Sequence, residues 1–268
     1  MPSEPVPVTD PDDPRLSDFR DLSRADRRPD RPGGQGLVIA EGVVVVRRML
    51  ASPYPVRALL GVQRRYEELA EDLAGVSAPF YVTSAQVMAQ VVGFHLNRGV
   101  LATADRVPQP GLEELAGRGE SLVVLEGVGD HENLGSVFRN AAALGLSGVV
   151  VGPGCADPLY RRSIRVSMGT ALLVPFTTPG LPLPELFDAL RGKGFHIVAL
   201  TPRADAVPLS RAGLAGRKVA VVLGSEGPGL TESALAAADR AVRIPMATGI
   251  DSLNVATAGA IAFAELIR

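Results

Sequence analysis

The chain has 268 residues, a formal net charge of −2 and a hydrophobic fraction of 46%, enough apolar material for one large domain or two ordinary ones. Cys155 is the only cysteine, which excludes an intrachain disulfide and a cysteine zinc cluster. Aromatic residues make up 4% with no Trp, which argues against a base-stacking platform.

No stretch reaches the roughly 18 apolar residues of a membrane span. The N-terminal MPSEPVPVTDPDDP lacks the basic and apolar regions of a signal peptide, so the cytoplasm is the expected location. His95, His131 and His196 are far apart in sequence, and no metal is expected. Residues 1–106 carry 13 Arg against 14 acids, and residues 107–268 carry 14 Lys/Arg against 15 acids. Neither half is basic, so any nucleic-acid contact must come from local patches.

In chain order, residues 1–35 read as a polar arm rich in Asp, Arg and Pro, with a short helix possible over 18–28 and a breaker at Pro32-Gly-Gly34. Residues 36–106 alternate strand and helix and predict a small three-layer α/β domain. Its strands are expected at 37–40, 56–60, 80–82 and 99–104. Its helices are expected at 41–51, 64–73 and 84–92, the last capped by Ser84. Residues 107–118 open on Val107-Pro-Gln-Pro-Gly111 and read as a linker.

Residues 119–268 alternate again. Strands are expected at 122–125, 148–151, 172–176, 196–200, 219–223 and 242–244. Helices are expected at 135–144, 159–167, 183–193, 231–238 and 252–267. The strands are continuous apolar runs, the mark of a mostly parallel sheet buried on both faces. Ligands in such sheets bind beyond the C-terminal strand ends. Two Gly-bearing loops sit there: GSEGPGL at 224–230 and IPMATGIDSLNV at 244–255.

Ordinary nucleotide motifs fail on detail. In Leu125-Glu-Gly-Val-Gly-Asp130 the third glycine of a dinucleotide fingerprint would fall at Glu132, and no acidic residue closes the next strand. There is no P-loop, and Ser225 is misplaced for a nucleophile elbow.

A third segment, NLGSVFRNAAALG at 133–145, opens a helix after a strand. Asn133 or Ser136 is placed to cap it, with Arg139 about one turn in. Together the three segments, N-x-G-x-x-x-R-x-A, then L-G-S-E-G-x-G-L, then I-P-M-x-x-x-x-x-S-L-N-V, resemble the SpoU/TrmH-type RNA 2′-O-ribose methyltransferases of the SPOUT superfamily. The resemblance covers residues 120–268. The preceding unit looks like the ribosomal-protein-like RNA-binding domain that often accompanies this catalytic domain.

The resemblance implies an α/β fold with a deep trefoil knot, S-adenosylmethionine as cofactor and a homodimer. It implies methyl transfer to a ribose 2′-hydroxyl of RNA, with 23S rRNA the first expectation. The alternatives are tRNA, an antibiotic-resistance methylation of rRNA, or a non-catalytic RNA-binding or ribosome-assembly protein. Carried over residue by residue, it makes Arg139, Asn133, Glu226, Ser252 and Asn254 the catalytic set. Glu226 would orient Arg139 or RNA, unless it merely serves a helix N-terminus, and Ser252 can also cap the last helix. Thr201, Leu223, Gly224, Gly227, Ile244, Met246 and Leu253 become the cofactor pocket. Arg161, Arg162 and Arg165 form a basic cluster that can track an RNA backbone or be an ordinary solvated face. Two departures stand beside the match: Asp130-His-Glu132 where many relatives have a Pro or Gly turn, and Ala256-Thr257 where Ser is frequent.

Overall fold

The computed structural model describes residues 4–22 and 36–266. The chain divides into two compact units. One comprises Met1–Pro108 with Leu159–Leu173; the other comprises Gln109–Pro158 with Val174–Arg268. The breaker at residues 32–34 and most of the helix expected over 18–28 lie outside the described residues.

The first unit is built on five strands, β1 (Val6–Pro7), β2 (Val38–Glu41), β3 (Val56–Gly61), β4 (Phe80–Val82) and β5 (Val100–Ala104), in the order β1-β4-β3-β5-β2. β1, β4 and β3 are parallel, and β5 runs antiparallel to β3 and β2. Three helices connect them: α1 (Val43–Leu50), α2 (Gln63–Glu68) and α3 (Ala85–Val92). Ser84 caps α3, accepting from the Val87 N–H at 3.1 Å. Ile39, Leu60 and Leu101 pack with Met88, Val91 and Val92 of α3. Their chain neighbours Val38, Leu59 and Val100 are equally buried. Successive strand residues point to opposite faces, so both faces of the sheet are covered.

Residues 4–22 differ from the expected polar arm. β1 adds a parallel strand to β4. The 3-10 helix Pro14–Phe19 delivers Leu16 and Phe19 into the core, followed by Leu22, all fully buried. Composition averaged over 35 residues hid an apolar triplet at a spacing of three, which is the period of a 3-10 helix. Asp18 holds the segment from its polar side through an ion pair with Arg57 at 2.7 Å.

Residues 159–173 were expected within the second domain and instead belong to the first unit. Ile164, Ala171 and Leu172 are buried there. Arg161 donates to Glu41 at 3.2 Å, and Arg48 donates to the Met168 carbonyl at 2.6 Å. Glu41 is 7% exposed; a buried carboxylate is strongly destabilising without a charge partner, which Arg161 supplies.

The second unit opens with α4 (Leu112–Gly117), β6 (Ser121–Leu125), α5 (His131–Ala143) and β7 (Gly148–Val151). The chain then supplies α6 (Arg161–Val166) to the first unit and returns as β8 (Phe176–Thr177). It continues through α7 (Leu183–Arg191), β9 (His196–Leu200), β10 (Val207–Pro208), β11 (Val219–Leu223), α8 (Glu232–Ala237), β12 (Arg240–Arg243) and α9 (Val255–Leu266). The strand expected over 172–176 is two residues long, because residues 170–172 turn as a 3-10 helix before it.

The seven strands lie in the order β10-β12-β9-β11-β6-β7-β8, every pair parallel. β11 is inserted between β6 and β9, and all five of its residues are buried. One face packs on α4, α7 and α8 through Leu115, Leu186, Phe187, Leu190 and Ala234. On the other, α5 and α9 pack against each other, α5 on β7 and α9 on β11. The C-terminal ends of β6, β9, β11 and β12 therefore share one edge, where both Gly-bearing loops emerge.

Replacing Phe19 by Ala is expected to cost the protein about 3–5 kcal/mol, the range for emptying a packed aromatic site. Chemical denaturation of the full chain measures it; an unchanged transition would return residues 4–22 to the status of an arm.

Candidate active site

The strand end of β11 begins the site. Gly224 follows Leu223 where the backbone folds back on itself. A Cβ on Gly224 would stand 2.4 Å from both the Gly229 carbonyl carbon and the Leu230 nitrogen, far inside contact distance. The loop closes through the Gly229 N–H to the Ser225 carbonyl at 3.2 Å and the Ser225 hydroxyl to the Gly229 carbonyl at 3.1 Å. Gly227 and Gly229 sit at φ +86° and +73°, a region costly for residues with a Cβ. Glu126, the first residue past β6, pins the far end of the loop. Its carboxylate accepts from the Thr231 N–H at 2.9 Å and the Thr231 hydroxyl at 2.8 Å. Thr231 in turn caps α8 through the Ala234 N–H at 3.2 Å.

Beside this loop lies a cavity of about 390 Å³, within the size range of small-molecule sites. All seven residues expected to hold a cofactor line it: Thr201, Leu223, Gly224, Gly227, Ile244, Met246 and Leu253. Leu253 is 41% exposed, so the cavity presents apolar surface. Glu226, Ser252 and Asn254 of the expected catalytic set line it too. Leu200, Pro202, Val255 and Ala258, not singled out in the sequence, also contribute. A smaller cavity of about 210 Å³ adjoins it, lined by Gly127, Val128, Gly129, Asp130 and Asn133, with Ser225 and Glu226 common to both.

Three of the expected catalytic side chains form one hydrogen-bonded cluster. The Asn133 amide donates to Glu226 Oε1. Asn254 Nδ2 donates to Asn133 Oδ1 at 2.7 Å and lies 3.4 Å from Glu226 Oε1. Asn254 Oδ1 accepts from the Ala256 and Thr257 N–H groups at 3.0 and 3.2 Å. Asn254 is therefore the cap of α9, which starts at Val255, three residues later than expected. Ser252 does not cap it; its hydroxyl lies 3.4 Å from Asp251 Oδ1.

The N-terminus of α5 also differs from expectation. Neither Asn133 nor Ser136 caps it. Asp130 does, accepting from the Glu132 and Asn133 N–H groups at 2.9 Å each. The departure at residues 130–132 thus supplies the helix cap and frees the Asn133 side chain for Glu226. Asn140, not singled out in the sequence, donates to the Ala256 carbonyl at 2.8 Å and ties α5 to the first turn of α9. Its spacing of seven residues from Asn133 places both on one helix face, which is the signal that would have found it.

Arg139 stands apart. It is exposed, lines neither cavity and makes no hydrogen bond or ion pair among the described residues. Six residues beyond Asn133, it lies roughly 9 Å farther along the helix axis. Glu226 is engaged by the two asparagines and does not orient it.

The basic cluster belongs to the first unit. Arg161 is bonded to Glu41, and its guanidinium carbon lies 5.1 Å from the centroid of the Phe94 ring. With its side chain 16% exposed, Arg161 serves the fold of that unit. Arg162 is exposed and Arg165 half-buried. Cys155, near the Gly127–Val128 turn, is held protonated: burial pushes its thiol above the usual range. Among the described residues no group of three or more His, Cys, Asp or Glu is placed to hold a metal.

Gly224→Ala is expected to destabilise the protein by about 1–3 kcal/mol, the usual penalty of overpacking, because the new methyl would meet the Gly229–Leu230 backbone. Asn254→Ala loses a helix cap and is expected to cost about 0.5–2 kcal/mol. Both are read by urea denaturation; wild-type midpoints would refute the closeness of the loop and the capping role respectively.

Comparison with known proteins matches this architecture. Residues 120–264 match the model of the SpoU rRNA Methylase family. An uncharacterised tRNA/rRNA methyltransferase of Mycobacterium tuberculosis is 57% identical over 97% of this chain and 91% of its own length. The 23S rRNA (guanosine-2′-O-)-methyltransferase RlmB of Shewanella oneidensis is 31% identical over 85% of this chain and 95% of its own. The crystal structure of an rRNA methyltransferase from Sinorhizobium meliloti superposes with a TM-score of 0.81 at 25% identity, covering 98% of this chain and 97% of that one. The AdoMet-bound form of the Sinorhizobium meliloti rRNA methyltransferase gives 0.78 at 24%, covering 97% and 96%. On its motifs, its sheet and these matches, the chain belongs to the SpoU rRNA methylase family.

Proposed function

We propose that the protein transfers a methyl group from S-adenosylmethionine to a ribose 2′-hydroxyl of RNA, with 23S rRNA as the substrate. The observation that carries this is the convergence of three distant segments, at Asn133, Glu226 and Asn254, in one hydrogen-bonded cluster beside two adjoining cavities. The Shewanella relative is named for that reaction on 23S rRNA, and the Sinorhizobium neighbour is described with AdoMet bound.

The cavity suits that donor chemically. Leu223, Ile244 and Leu253 offer apolar surface to a flat adenine, and the glycines of residues 224–229 let a ligand approach backbone groups closely. Glu226 is the only ionisable side chain lining it among the described residues, and a carboxylate complements a sulfonium cation. When bound, that donor supplies an electrophilic methyl carbon. The chain's part is to hold the two reactants in line and to receive a proton. Asn133 and Asn254 fix the Glu226 carboxylate. Arg139, an exposed and unspent cation, is suited to a substrate phosphate, which a planar guanidinium binds in bidentate fashion.

The same reading extends to the chain path and assembly. We infer that the C-terminal segment is threaded into a trefoil knot; the insertion of β11 between β6 and β9 supports it. The first unit then serves as an RNA-holding domain, and the chain works as a homodimer.

The test uses wild type and Arg139→Ala with S-adenosylmethionine labelled in its methyl group and bulk ribosomal RNA. Wild type is expected to incorporate label at 2′-oxygens. Arg139→Ala is expected to keep its stability within about 0.5 kcal/mol, as for a surface change without partners, yet to lose transfer by 100-fold or more. Equal, background-level transfer by both proteins would reject the reading. Mapping 2′-O-methyl sites in a deletion strain against its parent names the nucleotide.

A further inference from the structure

We propose that Glu226 is the proton acceptor for the reacting 2′-hydroxyl; this rests on the methyl-transfer reading above. The argument begins with elimination. The polar side chains lining the larger cavity are Thr201, Ser225, Glu226, Ser252 and Asn254. Hydroxyls and an amide are poor bases at neutral pH, which leaves Glu226. A guanidinium keeps its proton throughout the accessible pH range, and Arg139 lines neither cavity.

Position supports the assignment. Glu226 lines both the cavity suited to the methyl donor and the adjoining smaller one, so it stands where the two meet. Its Oε1 is taken by the Asn133 and Asn254 amides. Its Oε2 has no partner among the described residues. One oxygen is thus anchored and the other is available, which is the arrangement a directional proton acceptor needs. The residue is also exposed, so a substrate hydroxyl can reach it.

The chemistry balances without an extra reactant. A lone pair on the 2′-oxygen forms the new bond to the methyl carbon, and the electrons of the broken carbon–sulfur bond stay on sulfur. The hydroxyl proton passes to the Glu226 carboxylate and from there to water. A ribose hydroxyl is a very weak acid before attack. Once the oxygen carries the forming bond it becomes strongly acidic, so a carboxylate suffices to take its proton late in the step. Asn133 and Asn254 are positioning residues on this account.

Glu226→Gln separates proton transfer from positioning, because a glutamine carbonyl can still accept from both asparagines. With bulk ribosomal RNA, its kcat is expected to fall by about 100-fold to 10,000-fold, the range of general-base contributions. Its calorimetric affinity for S-adenosylhomocysteine, which carries no sulfonium charge, is expected to stay within about 3-fold of wild type. In Glu226→Ala, added formate is expected to restore turnover in a concentration-dependent way that chloride does not reproduce. Glu226→Gln turning over within about 5-fold of wild type would overturn the assignment and leave the methyl-transfer reading intact. So would a loss confined to affinity with no formate rescue, which would make Glu226 a binding residue. A wild type inactive on every RNA supplied would overturn both.

Discussion

One side chain holds this active-site edge together. Asn254 closes the N-terminus of α9 with its carbonyl oxygen and reaches α5 and the β11 loop with its amide. An asparagine amide has two acceptor sites and two donors, and this one spends them on three separate elements. Remove that coupling and the segment 244–254 loses its direct hydrogen bonds to Glu226 and Asn133. The parallel sheet brings the strand ends to one edge; Asn254 sets the register of what hangs from them.

Around it the rest is arranged by economy of backbone. β11 is buried on all sides, and its exit turns so tightly that Gly224 admits no Cβ. Glu126 and Asp130 neutralise exposed N–H groups at the starts of α8 and α5. An unsatisfied helix end is costly when partly enclosed, so these carboxylates give the loops one conformation. Among the described residues this leaves one carboxylate oxygen of Glu226 on the β11 loop, and the guanidinium of Arg139 on α5, without a hydrogen-bond partner.

Much of this was legible in the sequence. The apolar runs at 122–125, 148–151, 196–200 and 219–223 could be little else than buried parallel strands, and the seven residues expected to hold a cofactor line one cavity. What escaped was mostly local competition. At α5 the sequence offered Asn133 and Ser136, and Asp130 caps instead because it lies one place before the first helical residue. At α9, Asn254 outcompeted Ser252. Leu16, Phe19 and Leu22 were masked by the polar residues between them. The membership of residues 159–173 in the first unit was not readable at all, since nothing in a local pattern says which sheet a helix will cover. Arg139 shows the opposite limit: its motif is clear, yet it makes no hydrogen bond or ion pair among the described residues.

The excursion at residues 159–173 has a consequence for how such a protein can be taken apart or recombined. The chain passes between the two units at three points, near residues 108, 158 and 173, rather than once through a linker. The first unit is therefore not a detachable cassette. A homologous front half grafted before residue 109 would have to reproduce a seat for Ile164 and Leu172, a counter-charge for Arg161 in the role of Glu41, and a donor for the Met168 carbonyl in the role of Arg48. Divergence of the front half is bound to keep pace with fifteen residues encoded in the back.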